Sequence, residues 1–191
     1  YVGGYINNPN YVPFNPNRGF FKDGPRNNNT AFSYWNGVDD LYKVAYKDYN
    51  AYYTSGSSTP KSTANARYNE GRKAAINLIE KLDKGEIELK EGETIKIVGH
   101  SHGASYAAGL TSVLLKNSNY GGLIEFTDYI AAMQPDGFKH PDGVLGRQWL
   151  TLSDYISGYS MLHMFGIIGN TENGRIDGVR PEDSHWRAYY N

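Results

Sequence analysis

The run Thr94-Ile95-Lys96-Ile97-Val98-Gly99-His100-Ser101-His102-Gly103-Ala104 decides how this chain is read. Its centre, Gly99 to Gly103, has the form G-x-S-x-G. A β-type run, Thr94 to Val98, precedes it. A small-residue, helix-like run, Ala104-Ser105-Tyr106-Ala107-Ala108-Gly109-Leu110, follows. Strand, sharp turn and helix in that order are the setting of a nucleophile elbow. The glycines serve a steric purpose. Side chains at 99 and 103 would strike the neighbouring strand and helix, and the serine between them takes a strained conformation. The turn lifts the Ser101 hydroxyl clear of the sheet. It also aims the amide of His102, at the positive end of the next helix, towards a substrate carbonyl oxygen. The other use of such a turn is anion binding at a helix N-terminus.

Outward from the elbow, strand and helix patterns alternate. Ser62 or Thr63 caps a long helix that runs to about Lys84, with apolar positions Ala66, Ala74, Ala75, Leu78, Ile79 and Leu82, and Gly85 stops it. Tyrosines at 42, 46, 49, 52 and 53 suggest a helix over 41–53 with an aromatic core stripe. Short strands are expected at 19–22, 31–35, 124–133 and 147–152. Residues 1–30, rich in Asn, Gly and Pro, read as a loop-rich segment linking to a larger protein, and 31–191 as one domain. The start at Tyr1, without methionine or signal peptide, reads the same way. The expected architecture is α/β, a mostly parallel sheet with helices on both faces.

Composition narrows the function. A chain of 191 residues supports one domain with a core. A net charge of −1 leaves no electrostatic footprint for nucleic acid. No apolar run spans a bilayer. The absence of cysteine removes disulfides, thiolate metal sites and cysteine nucleophiles together. Abundant tyrosine and glycine, with a mean hydropathy of −0.61, suit a secreted or surface-delivered domain.

A serine hydroxyl needs a base, and the base needs an orienting group. On this type of fold they follow in the order nucleophile, acid, base. His100 and His102 flank Ser101, where an elbow points their side chains away from its hydroxyl. His140 comes too early, and His163 sits in the apolar run Met161-Leu162-His163-Met164-Phe165. His185, in a polar stretch before Trp186, is the expected base. Asp154, past the strand 147–152, is the expected acid. Asp136, between Pro135 and Gly137, is the alternative, in a turn where it would cap its own backbone. The second oxyanion donor is placed at Gly24, in the loop after the strand 19–22. The apolar, glycine-broken run 155–168 reads as a lid, an acyl groove or a buried helix. A metal reading would use His100 and His102 as ligands, but the serine on a glycine-flanked turn explains them better, and no metal or cofactor is expected. Outside catalysis, the surface tyrosines and asparagines would make a glycan-binding module with a vestigial elbow.

Ile97 to Ala104 resembles the elbow of class 3-type lipases, and of the lipase-like domains at the C-termini of bacterial Rhs-repeat proteins. Asn69-Glu70-Gly71-Arg72-Lys73-Ala74-Ala75 is similar to the helix before the elbow strand in those domains. Met133-Gln134-Pro135-Asp136-Gly137 is similar to the turn after the next strand, and Ser153-Asp154-Tyr155-Ile156-Ser157 to the segment carrying the triad aspartate. The resemblance covers about residues 65–185, and its elbow is the specific part. Ala104 and Ile156 depart from the usual Gly and Val. The resemblance implies an α/β-hydrolase fold and a serine esterase or lipase acting on lipid or phospholipid esters, with peripheral membrane contact. It also implies an antibacterial effector delivered to target cells, with an immunity protein as partner.

Overall fold

The computed structural model describes residues 1–3, 20–22, 35, 37–56, 62–151, 175–180 and 184–187. Its strands are β1 (Val2–Gly3), β2 (Phe21–Lys22), β3 (Tyr52–Ser55), β4 (Ile95–His100), β5 (Ile124–Ile130), β6 (Leu145–Thr151) and β7 (Ser184–Arg187). Its helices are α1 (Val38–Tyr46), α2 (Ala64–Asp83) and α3 (Gly103–Leu114). The strands form one sheet in the order β2-β3-β1-β4-β5-β6-β7. Every neighbouring pair is parallel except β2 with β3. The fold is α/β, as the alternation of patterns predicts.

Chain direction sets which face each helix covers. From β1 the chain runs to the edge strand β2 and then through α1 to β3, a net step one way along the sheet. From β3 it returns across β1, through α2, to β4, and continues through α3 to β5. Right-handed crossovers in opposite directions lie on opposite faces. Alternate residues of β4 follow suit. Ile97 packs with Ala104, Ala107 and Leu110 of α3, and Val98 packs with Phe126 and the α1 residues Val38, Tyr42 and Tyr46.

The long helix starts and stops where the sequence places it. Thr63 accepts a hydrogen bond from the Ala66 amide at 3.2 Å, and Gly85 closes the far end at φ +69°. The aromatic helix is shorter than expected. Lys47 turns left-handed at φ 52°, the Asp48 amide bonds back to the Lys43 carbonyl, and Asp48 Oδ1 accepts from the Asn50 amide. Tyr52 and Tyr53 therefore belong to β3, and Tyr49 is exposed. Trp35 is helical rather than extended, and residues 31–34 lie outside the described residues. Val2 and Gly3, inside the stretch read as a loop-rich linker, form a strand in the middle of the sheet. Tyr1 N bonds to Tyr52 O at 2.7 Å, and Thr54 N to Tyr1 O at 2.9 Å.

Helices α2 and α3 meet at two glycines. A Cβ at Gly71 would overlap the Tyr106 carbonyl, and one at Gly109 would overlap the Tyr68 carbonyl. The helix backbones are therefore in direct contact, which accounts for the small-residue run. On the opposite face the anchor is electrostatic. Asp128 of β5 is fully buried and takes Arg147 Nε at 2.7 Å, Arg147 Nη2 at 2.9 Å, the Tyr42 hydroxyl at 2.5 Å and Trp149 Nε1 at 3.2 Å. Arg147 also donates to the Tyr46 hydroxyl at 2.9 Å, so the pair ties α1 to the sheet.

Three substitutions test this packing. Gly109→Ala should cost about 3 kcal/mol in a urea melt, the upper end for overpacking, because both clashing partners are backbone. Gly122→Ala, with nothing within 4 Å of its added Cβ, should stay within about 0.5 kcal/mol. Asp128→Ala should cost about 3 kcal/mol by stranding Arg147, at the low end for breaking a buried pair because that side chain is 19% exposed.

Candidate active site

Open parallel sheets hold ligands beyond the carboxyl ends of their strands, where the strand order reverses. Here the reversal falls between β1 and β4. Ser101 is the first residue after β4, so the elbow stands at that point.

Its backbone has the conformation the pattern requires. Ser101 has φ 54°, a left-handed value in a residue with a side chain, and it is half-buried. A Cβ at Gly99 would come to 2.7 Å from the Gly103 carbonyl, 2.8 Å from Ala107 Cβ and 2.9 Å from Ala104 Cα. One at Gly103 would run into the Val2 carbonyl. Hydrogen bonds fix the turn on three sides. The Ser101 amide donates to Ile130 O at 2.9 Å. The Ser101 carbonyl accepts from the amides of Ala104 at 3.1 Å and Met133 at 3.2 Å.

The flanking histidines diverge. His100 ends β4, its ring edge-on to Trp35 with centroids 6.1 Å apart. His102 occupies the N-cap position of α3 at φ −55° and ψ −30°, which places its amide among the first N–H groups of the helix. Its ring is 4% exposed, with Nε2 2.9 Å from Met133 Sδ. The two rings rest against different partners, Trp35 and Met133, and among the described residues no cluster of three His, Cys, Asp or Glu could hold a metal. His140 is structural. It is 2% exposed, its Nε2–H donates to Val144 O at 3.0 Å, and its Nδ1 accepts from the Tyr129 hydroxyl at 2.7 Å.

The other site residues stand as follows. Asp136 is exposed in a 3-10 turn, Pro135–Gly137. That turn is closed by the Gly137 amide on the Gln134 carbonyl, not by the aspartate. Asp154, His163 and the whole run 155–168 lie outside the described residues, which the chain enters from the carboxyl end of β6. His185 lies within β7, not in a loop, and its backbone pairs with Trp149. Trp149 pairs with Ile130, and Ile130 with His100. One register line therefore joins the elbow strand to His185 across three strand spacings, about 14 Å. A hydrogen bond of about 3 Å needs the two backbones closer than that. The structure thus puts His185 level with the elbow but does not bring the two together.

Gly24 also lies outside the described residues, and the reason for choosing it does not hold. Antiparallel pairing sets Lys22 beside Tyr52, so the chain leaves β2 at the amino end of the parallel strands, with β3 and β1 between it and β4. The strand end beside the elbow is β1, where Gly103 packs against Val2 and Gly3. An apolar cavity of about 140 Å³ also sits at the amino end, lined by Ala51, Tyr52, Leu78, Leu82 and Ile95, and so belongs to a different region from Ser101.

Arg67 is the residue that sequence reading missed. It is 2% exposed beneath the elbow, yet it sits among exposed polar residues of a long helix. Burial pushes its pKa down to about 10, so it stays charged. Comparison with protein-family models, with curated proteins and with solved structures found no match to this chain.

Burial, and then the Arg67 guanidinium, push the pKa of His102 down to about 4. An unfolded chain takes up the same proton near pH 6.5. Between these values the unfolded state binds more protons, so the ring's contribution is intact above about pH 6.5 and is lost as pH falls towards 4. The urea midpoint should drop over that window, and His102→Gln should shallow the drop. The remainder includes His140, which burial also lowers. An acid slope unchanged in His102→Gln would show that this ring is not held neutral in the fold.

Proposed function

We propose that this chain is a serine hydrolase of the α/β-hydrolase type, with Ser101 as nucleophile. The observation that carries the reading is the left-handed Ser101 between two sterically obligatory glycines, at the reversal of strand order. Ser101 Oγ attacks an ester carbonyl, a histidine takes its proton, and the oxyanion forms against the His102 amide at the start of α3. The second donor is sought at the carboxyl end of β1, next to the elbow, rather than at Gly24. The acid of this reading is Asp154, beyond β6, and the exposed turn position of Asp136 supports that choice. The base is His185 or His163. The register distance of His185 keeps His163, which follows β6, in contention. The oxyanion then collapses, the ester C–O bond breaks, and the alcohol leaves with the proton that the histidine had taken; water, deprotonated by the same histidine, hydrolyses the acyl-enzyme and releases Ser101 and the acid. A lipid ester as substrate, delivery as an antibacterial effector and an immunity protein as partner rest on the resemblance of the elbow region alone.

Intact-mass analysis after fluorophosphonate treatment tests the nucleophile. Wild type should gain one adduct and Ser101→Ala none, with ester turnover lower by at least about 10³-fold in the variant. The base is the histidine whose alanine variant removes the rise of activity through the histidine pH range. Asp154→Asn should cost roughly 10²–10⁴ in turnover and Asp136→Asn about tenfold or less. A folded wild type that takes up no probe and turns over no ester would reject the hydrolase in favour of a binding module.

A further inference from the structure

We propose that Arg67 is a positioning residue that holds the elbow in its reactive shape, a role that rests on the reading of Ser101 as nucleophile. Among the described residues no carboxylate pairs with its guanidinium. It donates only to neutral acceptors drawn from four places. Nε reaches Ser105 Oγ at 3.0 Å, and Nη1 bonds to the Ser62 carbonyl. Nη2 reaches Met133 O at 3.3 Å and Gln134 Oε1 at 3.1 Å.

Two of these contacts lead straight to the elbow. Met133 is gripped from both sides, its carbonyl by Arg67 and its amide by the Ser101 carbonyl at 3.2 Å. Ser105 Oγ, which accepts from Arg67, donates to the His102 carbonyl at 3.3 Å. One guanidinium thus braces the residue before and the residue after the Ser101–His102 peptide. The loop it grips needs a brace. Ala131 and Gln134 both adopt left-handed φ, 45° and 55°, which residues with side chains hold only when the surroundings impose it. Gln134 Oε1 also accepts from the Ala64 amide at 2.9 Å, so the same network fixes the start of α2. A planar fork of five donors can serve these acceptors together, and a lysine ammonium cannot.

The test compares wild type with Arg67→Met, Arg67→Lys and Ser105→Ala, which removes the link from Nε through Ser105 Oγ to the His102 carbonyl and leaves the contacts of Nη1 and Nη2 in place. Fluorophosphonate labelling over a range of probe concentrations separates the limiting rate from the probe affinity. Amide exchange follows 99–105 and 131–135 against 38–46 on the other face. We expect Arg67→Met, corrected for its folded fraction, to lower the limiting rate about 10- to 100-fold with probe affinity within twofold, and to speed exchange at 99–105 and 131–135 only. Arg67→Lys should restore a small part of the rate, and Ser105→Ala should fall between it and wild type. If Arg67→Met does not fold, Ser105→Ala alone carries the comparison. An unchanged limiting rate per folded molecule, or exchange raised equally on both faces, overturns the positioning role. A wild type inert to the probe, with exchange still loosened selectively in the variants, would reject the hydrolase and leave the brace standing.

Discussion

The first turn of α3 lies against the ends of three strands with no room for a side chain between them. Gly103 presses on the carbonyls of Val2 and Gly3. Gly56, just past β3, faces Gly103 Cα, and Gly99 faces Gly103 and Ala107. This backbone-to-backbone approach leaves the chain only two residues in which to leave β4 and enter the helix. One of them has to take a left-handed conformation, and that residue is Ser101. The strain at the serine thus follows from the packing of the helix on the sheet. It is stable because the glycine contacts and the bonds to Ile130 and Met133 over-determine it.

Two cations, the half-buried Arg147 and the buried Arg67, hold the two faces, and they do so differently. Arg147 is paired with Asp128, and the attraction between them offsets their desolvation only because four donors saturate the carboxylate. That pair fastens α1, whose outer residues Leu41 and Val44 are exposed and add nothing to its grip. Arg67 has no such counter-charge among the described residues, and its desolvation is met by neutral dipoles alone. Replacing a paired arginine with an apolar residue of similar volume is often nearly neutral when its partner goes too. Replacing Arg67 would leave unmet the acceptors of the very loop that shapes the elbow, a cost felt at the site before it is felt in the fold.

Much of this was legible in the sequence because it is local. The elbow, the Thr63 cap, the Gly85 stop and the order of β4, β5 and β6 each depend on residues within a few positions of one another. What was not legible depends on partners distant in the chain. Val2–Gly3 is too short to show a period, and becomes a strand only because β3 and β4 leave a place between them. The topological reason for choosing Gly24 failed because sequence gives the existence of β2 but not its direction. Tyr52 and Tyr53 continue the spacing of the α1 tyrosines, and only the left-handed Lys47 ends that helix. Arg67 and Asp128 read as charges on a helix and a strand, and nothing nearby announces that both are buried.

The histidine next to the serine shows why proximity in sequence misleads at such a site. His102 is one residue from Ser101 and has the right chemistry for a base. Yet the turn that presents the serine carries the next residue into the start of α3. There the ring is buried against Met133, and its pKa is pushed down to about 4. A ring held neutral in that position still has a role, because it anchors the residue whose amide opens the helix. The Met133 that receives the ring also supplies the amide to Ser101 O and the carbonyl to Arg67. Side chain, amide and brace therefore meet at one residue of the loop after β5. The orientation of the His102 amide is set by that loop rather than by the elbow alone.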